Sequence, residues 1–268
     1  MSPRRKYAKT FVMGFMHSME YRTDFALSLL SGIFPVGVQL FLWNAVYGSS
    51  QESVYGYTKL EVIGYTLLAA LFAKMMATGF EYEISKDIKD GQLSKFIVQP
   101  IRYGPYRLSR FLGEKGPQLI VLAVLAGIAC VLLRIYAGLD ITGTGLLLCA
   151  AALIVSVLLN FLIYYCLSTV SFWLLEVWGI FYTFALISLL ASGGVFPIDM
   201  FGPVVQQALG VLPFPYLVFF PVHIALGRVD GDALLQGFGV QFAWIAVLIA
   251  LTGALWRAGL RKYESAGG

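Results

Sequence analysis

The sequence predicts an all-α membrane protein: one transmembrane domain over residues 1–268, with six membrane-crossing helices. Three observations carry that reading. First, 59% of the residues are hydrophobic and only 13% charged, with a mean hydropathy of +0.77, whereas an ordinary soluble domain carries about a quarter charged residues. Second, six apolar stretches are long enough to cross a bilayer, which takes about 20 helical residues. Third, the basic residues gather in the alternate connecting segments that share one side of the membrane, as the positive-inside rule requires. Helix is the only workable state, because lipid offers no partner to an open strand edge.

Residues 1–24 read as an interfacial helix. Ala8, Phe11, Val12, Phe15, Met16 and Met19 recur at helical spacing, opposite Lys9, Thr10, His17 and Glu20. That pattern suits a helix lying at the inner face with its basic residues near anionic headgroups. A signal peptide is not expected, since the following apolar run is too long and no small-residue cleavage site is evident. The six spans are expected near Phe25–Tyr47, Leu60–Phe80, Pro117–Ala137, Leu146–Thr169, Val177–Phe196 and Leu235–Trp256. The fourth and fifth are divided on length alone, because Glu176 is the only charge between Leu146 and Phe196.

The charged segment 81–116 interrupts these apolar runs. Ile84 and Ile88 are four apart, as are Leu93 and Ile97, which puts each pair on one face of a short helix. Gly91 can end the first helix and Pro100 the second. Two amphipathic helices result, with an apolar ridge of Ile84, Ile88, Leu93 and Phe96 flanked by Lys86, Asp87 and Lys89. An apolar core with a charged rim is what a docking surface needs; an ordinary solvated loop is the plainer alternative.

Segment 197–234 holds five of the ten prolines: Pro197, Pro203, Pro213, Pro215 and Pro221. Val204–Leu212 and Leu217–Leu226 are apolar but too short to span, and Gly193 and Gly194 invite a break just before them. Re-entrant helices fit best, provided protein covers their backbone. Val204, Leu209 and Phe219 are then expected to be shielded, with Asp199, Arg228, Asp230 and Asp232 in or near water.

Orientation follows from charge. Arg4, Arg5, Lys6, Lys9 and Arg22, then Lys86, Lys89, Lys95, Arg102, Arg107, Arg110 and Lys115, and finally Arg257, Arg261 and Lys262 fall on one side. That is 15 of the 19 Lys and Arg, which places both termini and 81–116 in the cytoplasm. The net charge of +4 expresses this bias, and no basic domain for nucleic acid is expected. Within the spans, Lys74 and Arg134 are expected to snorkel or to make a structural pair.

Several chemistries are excluded. No phosphate-binding loop is present, and Gly113-Glu-Lys-Gly116 lacks both the spacing and the hydroxyl. His17 and His223 fall on opposite sides with no second ligand in reach, so no metal site is expected. Cys130, Cys149 and Cys166 lie in apolar runs and suggest neither a disulfide framework nor a metal centre. No catalytic constellation assembles, so the chain does not read as an enzyme.

This order of parts resembles the membrane subunits of ABC transporters of the ABC-2, export type. The most specific match is Ile88-Lys-Asp-Gly-Gln-Leu-Ser-Lys-Phe-Ile-Val-Gln-Pro100, similar to the Ile-x-x-Gly-x-Leu…Leu-x-x-Pro signature of a bacterial branch. Ser192-Gly-Gly-Val-Phe-Pro197 and Leu212-Pro-Phe-Pro215 are similar to that branch's outer-loop signatures. The resemblance implies a permease in the cell membrane whose pathway is shared by two permease chains. It also implies a separate cytoplasmic ATPase subunit that binds the ATP, so that this chain holds no cofactor. In that frame Ile84, Lys86, Asp87, Ile88, Gly91, Gln92, Leu93, Phe96 and Pro100 couple to the ATPase, while Gly193, Gly194, Pro197, Pro213 and Pro215 shape an outer gate. The first, second and fifth spans would wall the pathway. A secondary transporter and a non-transporting membrane assembly or scaffold protein are the other classes that the spans and the inner handle allow. An adjacent ATPase reading frame would separate them from the ABC reading.

Overall fold

A computed structural model of the chain describes residues 3–48, 53–97, 101–229 and 231–263, and these contain helices and turns with a single isolated bridge between Val54 and Tyr57. Pro100 and Asp230 lie outside the described residues. In chain order the helices are α1 (Pro3–Glu20), α2 (Arg22–Tyr47), α3 (Lys59–Met76), α4 (Phe80–Lys89), α5 (Ser94–Ile97), α6 (Tyr103–Ala137), α7 (Gly143–Ser168), α8 (Trp178–Ala191), α9 (Pro203–Val211), α10 (Phe219–Ala225) and α11 (Gly231–Leu260). Short 3-10 turns occupy Thr169–Phe172, Ile198–Met200 and Phe214–Tyr216.

Five helical stretches among the described residues are long and apolar enough to cross a membrane: α2, α3 continued by α4, α6, α7 and α11. The expected fifth span is shorter than the sequence suggested. α8 has 14 residues, about 21 Å at 1.5 Å per residue, against a hydrocarbon core of about 30 Å. It stops because the chain leaves helical geometry at Gly193, whose φ is +76°. There the carbonyl of Gly193 accepts a hydrogen bond from Tyr65 Oη (2.6 Å), and Phe219 N donates to Ser192 O (2.9 Å). The third span is longer than expected. α6 runs 35 residues straight through Pro117, so its first third projects as a stalk and the 81–116 segment is largely helical.

The core forms around α7. Phe80, Phe161, Tyr165, Trp256 and Tyr103 stack in a column from α4 through α7 and α11 to α6, with successive ring centroids 4.9, 5.6, 5.6 and 5.0 Å apart. Offset stacking of this kind adds to the burial of each ring. Gln241 of α11 is fully buried and donates to Ser156 Oγ and Tyr216 O, each at 3.0 Å. It ties α11 to α7 and to the 214–216 turn, since a polar side chain in hydrocarbon must find partners on a neighbouring helix.

The N-terminal helix is not merely adsorbed at an interface; α1 docks on the stalk of α6. Gly14 presses on the backbone of Arg110 and Glu114, and Gly113 presses on the backbone of Phe11. Its apolar residues Met13, Met16 and Met19 remain exposed on the opposite face, where lipid can cover them.

Candidate functional site

The projecting stalk, α4 and α5 make one polar assembly at the end of the molecule that also carries α1 and Tyr263. α4 begins with Glu81 and Glu83 in its first turn and ends with Lys86 and Lys89 in its last, which matches the sign of the helix dipole at each end. Asp90 caps it, and Gly91 at φ +71° turns the chain toward Leu93, whose N–H returns to Asp87 O (3.1 Å).

Arg107 of α6 sits at the centre, only 4% exposed. Its Nη1 donates to Glu83 Oε2 at 2.7 Å, its Nη2 to Asp87 Oδ2 and its Nε to Tyr103 Oη at 2.9 Å. Tyr103 in turn donates to Asp87 Oδ2 at 2.6 Å. Arg110 lies 3.5 Å from Glu83 and donates from Nε to Glu114 at 2.8 Å. A planar guanidinium with five donors suits such a junction. Phe96 of α5 packs on Tyr103 and Tyr106, at 4.9 and 4.8 Å. Lys89 Nζ donates to Leu175 O in the segment before α8, and Tyr82 packs edge-on against Phe181 at 5.3 Å. α4 is thereby fastened to α6 and to α8.

This geometry corrects the docking surface expected from the sequence. Ile84, Ile88 and Leu93 lie in the core at 0%, 6% and 1% exposure, and Phe96 is half-buried against it. The ridge faces inward because the fold itself supplies its partner, the aromatic column. Lys86, Lys89, Asp90 and Lys95 stay exposed, with Asp87, Gly91 and Gln92 partly so. The surface open to a partner is therefore polar.

A second polar cluster closes the opposite end. Tyr57 Oη donates to Asp199 Oδ2 (2.6 Å) and meets His223 Nε2 (2.8 Å), which lies 3.3 Å from the same carboxylate. His223 Nδ1 is 3.0 Å from Phe219 O. Arg228 pairs with Glu61 (2.9 Å), donates to Gly56 O (2.8 Å) and lies over the Tyr57 ring (3.8 Å). Burial works against charge on Asp199, yet the hydrogen bonds from His223 and Tyr57 prevail and hold its pKa below the usual aspartate value. Burial, then the hydrogen bond to Asp199 and its charge, pushes the Tyr57 phenol well above its usual value. His223 thus has close neighbours that the sequence did not predict. No group of three His, Cys, Asp or Glu among the described residues is placed to hold a metal ion.

The residues expected at an outer gate lie beside this cluster. Gly193 and Gly194 make the turn after α8, and a side chain at either would strike Tyr65 or Leu189. Pro197 precedes the 3-10 turn that presents Asp199; Pro213 and Pro215 are buried around the next one. α10 is buried as expected of a re-entrant helix, with Val222 and Ile224 sealed in the core. α9 differs, because Val204, expected to be shielded, is 78% exposed. Among the described residues nothing packs over that face of α9. Leu209 and Phe219 are half-buried, while Asp232 is exposed.

Glu83, Tyr103 and Tyr57 escaped the sequence reading, while Arg107 and His223 were read only as an inner basic residue and a lone histidine. One signal existed for the Arg107 assembly: Tyr103 and Arg107 stand four apart in a helix that begins before the membrane. Tyr57 and Asp199 are 142 positions apart, and no local pattern joins them.

A family model described as "ABC-2 family transporter protein" matches residues 33–267. No curated protein matches the chain.

Proposed function

Because the chain belongs to the ABC-2 transporter family, we propose that it is the permease subunit of an ATP-driven exporter, powered by a separate ATPase on the end that carries 80–116. It is a multi-pass membrane protein of a transporter. The observation that carries the proposal is the fastening of α4. Its inner face is locked to α6 through Arg107 and to the segment before α8 through Lys89, while Lys86, Asp90 and Lys95 stand free. A push on that exposed face would reach two membrane helices together. With both termini and this surface in the cytoplasm, the Tyr57–Asp199 cluster faces outside, and Gly193, Gly194, Pro197, Pro213 and Pro215 shape the outer gate. Two permease chains share the pathway, and the uncovered faces of α2, α8 and α9 are available to the second copy.

The test is charge reversal on the exposed face in complexes reconstituted with the partner ATPase. Lys86→Glu combined with Lys95→Glu is expected to abolish stimulation of ATP hydrolysis by the permease, and transport with it, while the melting temperature of the permease alone is unchanged. These side chains are solvated, so exchanging them costs the fold within about 0.5 kcal/mol. Wild-type stimulation and transport in the double variant would remove 80–97 from the coupling interface.

A further inference from the structure

A cavity of about 220 Å³ lies where the second apolar helix is broken. α3 ends at Met76, residues 77–79 leave the helix, and α4 restarts at Phe80. The polar wall is made by Thr78 and Glu81 at the break, Asn160 and Tyr164 of α7, and Ser188 and Ser192 at the end of α8. Glu81 is 3% exposed, and its Oε2 has no hydrogen-bond partner; neither has the Thr78 hydroxyl beside it. The nearby cation, Lys115, attracts the carboxyl through space but makes no hydrogen bond to it. Lys115 directs its ammonium to the carbonyls of Lys74 (3.5 Å) and Ala77, where it caps the end of α3. Two donors around the cavity are committed elsewhere: Asn160 Nδ2 to Met76 O at 2.7 Å, and Ser192 Oγ to Leu189 O at 3.0 Å.

A sealed carboxyl oxygen without a donor is a strongly unfavourable arrangement unless something completes it. An ionised carboxyl only accepts, and the wall hydroxyls of Thr78, Tyr164 and Ser188 can accept as well, so a group that brings several donors suits the site. A positive charge would balance the carboxylate, an anion would be repelled, and a neutral hydroxyl would leave the charge uncompensated. Broken helices that end at a cavity between apolar spans are also how membrane carriers present polar backbone to cargo.

We propose that this cavity recognises a protonated amine on the cargo, with Glu81 as its counter-charge. The assignment rests on the permease reading and narrows its substrate class to amphipathic molecules with a cationic, N–H-bearing head. Three donors on an alkylammonium match Glu81 Oε2, the Thr78 hydroxyl and the remaining oxygens of the wall.

The test uses the full chain in lipid nanodiscs without any ATPase. Dicyclohexylcarbodiimide modifies carboxylic acids in apolar surroundings, and its attack on Glu81 is followed by peptide mass spectrometry. n-Butylammonium, small enough for the cavity, is expected to slow modification about tenfold at roughly ten times its Kd, while 1-butanol and potassium leave the rate unchanged. It should also raise the melting temperature of the wild type but not of Glu81→Gln. Modification that ignores butylammonium, or that 1-butanol slows equally, overturns the proposal on the wild-type chain alone. If the reagent does not reach Glu81, the melting shift decides: no shift in the wild type, or equal shifts in wild type and variant, overturns it. Because no ATPase is present, such a failure leaves the coupling surface untouched, whereas failure of the charge-reversal test leaves this binding result standing.

Discussion

Replacing Gly14 by alanine should pry the N-terminal helix off the stalk. A Cβ at Gly14 would sit 2.7 Å from Arg110 O and 3.1 Å from Glu114 N, both backbone atoms of α6, whereas ordinary contact begins near 3.4 Å. Neither atom can swing away as a side-chain tip would, so α1 must retreat by about 0.7 Å along that line. A gap of about 0.5–1 Å forfeits a quarter to a half of the dispersion attraction across an interface, and overpacking of this kind costs about 1–3 kcal/mol. Alanine's better helix propensity, up to about 1 kcal/mol over glycine, offsets part of it. A net 1–2 kcal/mol raises the undocked population about 5–30-fold. An isolated helix of 18 residues is marginal, so amide exchange of residues 5–20 reports docking. Gly113→Ala attacks the same interface from α6, where its Cβ would strike the backbone of Phe11. Gly127→Ala on α6 is the control, since a Cβ there meets nothing within 4 Å. The expected result is 5–30-fold faster exchange in the first two variants and no change in the third. Wild-type exchange in Gly14→Ala and Gly113→Ala, or equal acceleration in Gly127→Ala, would refute the glycine-mediated docking.

Two further outcomes follow from the polar clusters. Arg107→Met should lower stability by about 2–3 kcal/mol, less than the roughly 3–5 kcal/mol of a fully buried pair, because Glu83 and Asp87 keep 43% and 20% of their side-chain surface exposed and can take up water; a drop of about 4–12 °C in melting temperature checks it. At the opposite end, the folded pKa of Asp199 lies below its unfolded value, so its stabilisation is complete above about pH 4 and is lost as pH falls through the folded value. The phenol of Tyr57 is raised, so its share is complete below about pH 10 and is lost as pH climbs. Melting temperature against pH should therefore fall away on both flanks, with Asp199→Asn flattening the acid flank and Tyr57→Phe the alkaline one.

The membrane character and the order of elements were legible in the sequence because lipid imposes them locally. An apolar run of spanning length can only be a helix, and charge segregates by side. Gly91 announced the turn after α4 because its position demands positive φ. The direction of the 84–88–93 ridge was not legible. Helical spacing tells which residues share a face, but not whether that face meets a partner protein or the chain's own core. The shortness of α8 was only partly legible: Gly193 and Gly194 invited a break, and the tertiary contact of Tyr65 on Gly193 O shows that the chain turns there. Likewise Arg107 counted toward orientation as one more basic residue, although it is the buried hub of an assembly drawn from two helices.

The distribution of polar contacts along α3 and α4 shows how this chain can hold its ends and yield between them. At the far end Thr58 and Glu61 form a capping box, and Glu61 is pinned by Arg228. At the basic end Arg107 and Lys89 bind α4 to its neighbours. Between these anchors the helix is interrupted at residues 77–79, beyond the last helical bond from Ala77 N to Ala73 O (3.1 Å). What replaces further helical bonds is a set of single contacts from other helices: Asn160 to Met76 O, and Lys115 to Lys74 O and Ala77 O. Backbone freed in hydrocarbon must be satisfied by such neighbours, and bonds made one at a time can be exchanged one at a time, unlike a continuous helix that breaks cooperatively. A displacement of α4 imposed from its exposed face is thus resisted least at the break. That is where the cavity lies and where Glu81 waits for a donor. On the proposed reading, a push at α4 and recognition at Glu81 meet on one ten-residue helix, a direct path by which such a push could alter the affinity of a site between the membrane helices.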